Sequence, residues 1–101
     1  MSAMLRYNEI NGILSRELPV LQNKFGVREL GVFGSCVRDE QTASSDVDLL
    51  VSFERPVGLL TFMKLENHLA GLLGVKVDLV SRKALKPAIG RRILSEVRFV
   101  A

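Results

Sequence analysis

The sequence predicts an α+β domain: a small mixed β-sheet with helices packed on one face. Long stretches carry apolar residues at helical spacing, and shorter runs between them alternate apolar and polar residues. Glycines stand at several of the joins. The chain has 101 residues, enough to bury one modest core, and reads as a single domain over 1–101.

The elements follow in order. Ile10, Ile13, Leu14 and Leu18 lie at helical spacing, so the opening segment reads as an amphipathic helix. Pro19 is expected to kink or restart it, Val20, Leu21 and Phe25 continue its apolar side, and Gly26 ends it. Glu29–Phe33 reads as a strand that closes at Gly34, where a short helix begins. A polar stretch, Arg38–Ser45, leads into a second strand, Asp46–Phe53. After a turn at Pro56 and Gly58, the leucine-rich stripe from Leu59 to Leu73 predicts a second long helix, stopped by Gly74. Val75–Val80 alternates as a half-buried strand does. Ala84–Glu96 is helical in character, with Pro87 suited to a first turn, and Val97–Val100 can close the chain as an edge strand.

Composition narrows the function classes. A net charge of +3 tilts weakly towards acidic partners, because the bases are scattered rather than gathered in one block. The apolar runs are too short and interrupted to span a membrane. The start shows no secretory signal and Cys36 is the sole cysteine, so a reducing cytoplasm is the expected compartment.

The chemistry is concentrated in one segment. Asp46 and Asp48 are two apart on an expected strand, so their side chains leave the same face while Val47, Leu49 and Val51 leave the other. Adjacent carboxylates repel each other unless a cation lies between them, and an all-oxygen set suits a hard ion such as Mg²⁺ or Mn²⁺. On the later strand, Val75, Val77 and Leu79 form an apolar face that leaves Asp78 on the other side with Lys76. If both strands pack their apolar faces on the same helices, Asp78 emerges beside Asp46 and Asp48. Three such carboxylates can hold two metals about 3.5–4 Å apart, the arrangement that in-line phosphoryl transfer uses. Gly34 and Ser35, at the end of a strand, let a phosphate approach the backbone and offer it a hydroxyl and free N–H groups. At average residue usage all four residues fall in this register in about one chain of this length in a thousand. The combination carries the signal, not any one member.

Gly34-Ser35, ten residues, then Asp46-Val47-Asp48, with a later strand bearing Asp78, resembles the signature of the DNA polymerase beta-type nucleotidyltransferase superfamily. The short chain resembles its minimal nucleotidyltransferases, the MntA-like antitoxins often paired with HEPN-domain toxins. The resemblance covers nearly the whole chain. It implies the palm-like fold with the active site on the open sheet face, two Mg²⁺ ions held by Asp46, Asp48 and Asp78, and ATP as cosubstrate. It also implies a HEPN-domain toxin as acceptor, AMP being placed on a tyrosine hydroxyl. Members commonly read Gly-Ser-x-Ala-Arg-Gly; here Val37 replaces the alanine and Asp39 the last glycine. A subunit that neutralises its partner by occlusion, without catalysis, is the alternative reading.

Other residues have plainer expectations. Arg38 reaches either phosphate or a carboxylate such as Asp46. Ser44 and Ser45 shape the turn before the aspartates. Cys36 faces the pocket without a catalytic role, and His68 is a surface or partner-facing histidine. The bases Lys76, Arg82, Lys83, Lys86, Arg91 and Arg92 are the candidate contacts for phosphate or nucleic acid, set against a merely solvated helix face. The apolar excess of the Leu59–Leu73 helix and the tail suits an interface, homo- or hetero-oligomeric.

Overall fold

The computed structural model describes residues 5–42 and 46–100. Helix α1 (Tyr7–Phe25) leads into β1 (Val27–Phe33), a single 3-10 turn (Gly34–Cys36) and β2 (Val47–Phe53). Helix α2 (Leu59–Leu73), β3 (Val77–Ser81), a second 3-10 turn (Arg82–Ala84), α3 (Pro87–Glu96) and β4 (Arg98–Phe99) complete it. The four strands form one mixed sheet in the order β3-β2-β1-β4. Strand β2 runs parallel to β3 and antiparallel to β1, and β4 is antiparallel to β1.

The expected layering holds for the two long helices. Ile10, Leu14, Leu21 and Phe25 of α1 and Leu65, Leu69 and Leu73 of α2 are buried in one cluster. The same cluster takes Val47, Leu49 and Val51 of β2 and Val77 and Leu79 of β3. Period-two alternation makes this possible, since these strand residues all leave one face of the pleat. The short α3 adds a second layer on the opposite face, where Ile93 meets Phe33 and Leu50 with Val80 and Val97 packed around them. That face is therefore part-covered, and only its end beyond Leu50 and Val80 is left to the aspartates.

Local chemistry sets the boundaries. Helix α1 runs on through Pro19, which is exposed, so the ring faces solvent and the carbonyl it leaves unbonded can be hydrated. The kink expected there does not end the element. At the helix ends Gly26 and Gly74 adopt φ of 71° and 69°, and the Gly74 N–H donates to the Ala70 carbonyl at 2.8 Å. Strand β3 begins at Val77 rather than Val75, and the last helix starts at Pro87 after a 3-10 turn rather than at Ala84. The expected tail strand shrinks to Arg98–Phe99. Glu66 on α2 adds a link between layers, its carboxylate accepting the Leu79 N–H at 2.9 Å.

Leu49 is fully buried at the centre of the larger cluster. Leu49→Ala is expected to lower unfolding free energy by about 2–5 kcal/mol in urea titration.

Candidate functional site

The parallel ladder between β2 and β3 decides where the aspartates lie. Asp48 is the register partner of Asp78, as Leu49 is of Leu79 and Leu50 of Val80. Paired residues on neighbouring strands share a face about 4.8 Å apart, so the two carboxylates stand side by side. Asp46 precedes β2, whose first residue is tied down by the Val47 N–H donating to the Lys76 carbonyl at 3.0 Å. That bond brings Lys76 near Asp46, with Nζ 4.0 Å from Oδ2, and the lysine side chain is otherwise exposed.

The glycine-serine corner closes the group from β1. Phe33, the last residue of β1, is the register partner of Asp48, and Gly34 follows it with φ of 81°. A side chain at Gly34 would meet the Asp48 carboxylate head on, and φ is left-handed as well, so glycine is required twice over. Ser35, half-buried, follows in the 3-10 turn and so sits one residue from that contact.

Electrostatics reflect this crowding. Burial and then the neighbouring charges of Asp78 and Asp46 push the Asp48 carboxyl up to about 6, from an ordinary value of 3.8. An oxygen-only donor set in which one carboxyl resists ionising beside two others fits a hard divalent cation. Asp46, Asp48 and Asp78 are the residues that would hold it. Among the described residues no three or more His, Cys, Asp or Glu side chains are grouped, as they stand, so that they could hold a metal ion. The aspartates stand as neighbours rather than as a finished cage.

Arg38 is placed differently from either expectation. It donates to Glu40 through Nε and to Glu96 through Nη1, both at 2.8 Å, and does not pair with Asp46. The Glu96 contact joins the loop after the corner to the C-terminal end of α3, and the charge of Glu96 is also felt at Asp48. Nothing in the sequence could have found Glu96, which lies 58 positions from Arg38 with no periodic relation to it.

Three other expectations meet different outcomes. Cys36 does not face the pocket; it is buried in the larger core cluster because the 3-10 turn folds it back towards the helices. Burial, then Asp48 and Asp39, pushes its thiol pKa up, which suits an inert side chain. His68 is not on the surface but half-buried between α1 and α2, its ring 5.3 Å from that of Phe25 and its Nε2 buried without a hydrogen-bond partner. Ser44 and Ser45 lie outside the described residues. Asp39 explains the family's usual glycine: it has φ of 59°, the one non-glycine residue with positive φ among those described.

Residues 14–100 match the nucleotidyltransferase domain family. A protein adenylyltransferase, MntA of Thermococcus cleftensis, is 50% identical over 98 residues, which span 97% of this chain and 99% of the relative. A solved structure of a candidate minimal nucleotidyltransferase superposes with a TM-score of 0.80 at 34% identity, covering 95% of this chain and 97% of that one. A tri-AMPylated Shewanella oneidensis HEPN toxin in complex with its MNT antitoxin gives a TM-score of 0.66 at 16% identity, covering 90% and 71%, a likeness of fold.

Two outcomes are expected from the site's own energetics. The folded state holds the Asp48 proton more tightly than the unfolded chain does, so this contribution to stability is complete below pH 3.8. It is lost as pH rises through about 6. In EDTA, Asp48→Asn escapes that loss. Discounted for solvent screening to about 1 kcal/mol, its melting temperature should exceed the parent's by at least about 4 °C at pH 7.5. At pH 3, below the unfolded value, the gap should largely vanish. Asp39→Gly relieves the left-handed backbone, and its urea midpoint should rise by the equivalent of about 0.5–1 kcal/mol.

Proposed function

This chain belongs to the nucleotidyltransferase domain family, and we propose that it is an antitoxin that transfers AMP from ATP to a tyrosine hydroxyl of a partner HEPN-domain toxin. The observation that carries the reading is the register pairing of Asp48 with Asp78, beside a glycine corner that only glycine can form. The 50% identity to a protein adenylyltransferase, over nearly the full length of both chains, supports the reaction class. The HEPN partner is supported by the AMPylated toxin seen with a protein of the same fold. The cytoplasm, where such a toxin would act, is the proposed compartment. No helix among the described residues is long and apolar enough to cross a membrane.

Each residue's part follows from its position. Asp46, Asp48 and Asp78 would hold two Mg²⁺ ions, with Mn²⁺ as substitute. When bound, such ions would supply screening of the triphosphate, a lowered pKa for the attacking hydroxyl and stabilisation of the charge that develops in the transfer. Gly34 leaves the backbone open to the phosphates, and Ser35 offers a hydroxyl to their oxygens. Asp78, exposed on the edge strand, is the carboxylate placed to accept the proton of the tyrosine hydroxyl. Arg38 braces the corner through Glu96 and Glu40 instead of serving as a free phosphate ligand. Pyrophosphate leaves as the tyrosine oxygen bonds to the α-phosphorus.

The test uses labelled ATP, Mg²⁺ and a candidate HEPN-domain partner protein. Label is expected on that protein and absent when its acceptor tyrosine is phenylalanine. Asp48→Asn and Asp78→Asn should each cut the rate by at least about 100-fold. Toxin neutralisation that persists at full strength in both variants would overturn catalysis in favour of occlusion.

A further inference from the structure

A cleft of about 1080 Å³ opens at the other end of the sheet, over the last residues of β2 and β3. Ser52 lines it and lies four residues along β2 from Asp48, or about 13 Å at strand rise. It is therefore separate from the carboxylates.

Three features of this cleft converge on one ligand chemistry. Arg28, Arg55, Arg82 and Lys83 line it, against the two carboxylates Glu29 and Glu54. Arg28, Arg55 and Lys83 make no ion pair among the described residues, and Arg82 reaches Glu29 only at 3.3 Å with both side chains nearly half exposed. Glu29 is the register partner of Ser52, so the Arg82–Glu29 pair spans the end of β2 on the face that carries the Ser52 hydroxyl. That hydroxyl is buried with no hydrogen-bond partner, a loss that an acceptor arriving beside Arg82 would remove. The apolar, aromatic part of the wall is on the α1/α2 face, reached round the edge of β2 that its pairing with β3 leaves free beyond Val51. Phe53 and Phe62 meet edge to face with centroids 6.5 Å apart, and Leu59 stands at the rim 74% exposed.

We propose that this cleft is a second binding site, for an anion carrying a flat apolar body. The anionic group displaces Glu29 from Arg82 and accepts from the Ser52 hydroxyl, with Lys83 and Arg28 adding charge. The ligand straddles the free edge of β2 beyond Val51, so that its ring lies against Phe53, Phe62 and Leu59 on the other face. A phosphate or a carboxylate supplies the same anionic chemistry, so both are probed. The site does not depend on the transferase reading, and its failure would leave that reading untouched.

The test is an amide-shift NMR titration of the full chain in EDTA, wild type and Asp48→Asn, with AMP, phenyl phosphate, benzoate, inorganic phosphate and adenosine. Saturable shifts are expected at Ser52, Leu59 and Lys83 in both proteins with AMP and phenyl phosphate. Inorganic phosphate and adenosine should each bind at least about tenfold more weakly. Benzoate binding as tightly as phenyl phosphate would identify a carboxylate ligand; benzoate binding more weakly would identify a phosphate one. Arg82→Gln should weaken AMP by about tenfold, while Glu29→Gln, which removes the competing carboxylate, should tighten it. The proposal is overturned if shifts centre on Gly34 and Ser35, if inorganic phosphate or adenosine matches AMP, or if Arg82→Gln leaves binding unchanged. Absence of saturation by about 10 mM would overturn it equally.

Discussion

The parallel hydrogen-bonded ladder between β2 and β3 is the constraint on which the rest of the molecule depends. It sets Asp48 beside Asp78, two like charges at the spacing of adjacent strands. Left alone, they would separate. They are held because the same ladder pairs Val47 with Val77 and Leu49 with Leu79 on the opposite face, where burial under α1 and α2 favours this register. A slip by one residue would turn the aspartates into the core and the leucines into water. Function and stability thus share one register, with the apolar face enforcing what the acidic face resists.

The corner after β1 shows the same economy at smaller scale. Gly34 touches the Asp48 carboxylate so closely that any side chain would displace it, and the 3-10 turn that follows buries Cys36 among the core residues. Arg38, two residues on, then fastens this loop to α3 through Glu96. The corner is held from below by packing and from the side by an ion pair, so Ser35 is carried on a supported turn.

Much of this was legible in the residues. Two strands with aspartates on one face and valines and leucines on the other define a side of the sheet without any coordinates, and the glycine-serine pair marks where a strand must end. Helix stops at Gly26 and Gly74 were equally plain. What escaped was non-local. The sequence pattern of α3 does not say that Ile93 lies on the aspartate face, because an amphipathic stripe names a buried side but not its neighbour. The Arg38–Glu96 pair links distant segments with no periodic trace. His68 departs from the surface position expected of it because the burial of Leu65 and Leu69 draws it towards Phe25. Pro19 lies within α1 without ending it, since a proline on the wet side of a helix disturbs it least.

The hydrogen bond from Leu79 to the Glu66 carboxylate has a bearing on assembly. Strand β3 lies at one border of the sheet, and a bare border is an invitation for another chain to add a strand. Here the outward amide at the middle of β3 is already taken by a side chain from α2. Growth of the sheet on that flank would first have to evict Glu66, so a companion molecule extending it by backbone pairing meets less resistance alongside β4.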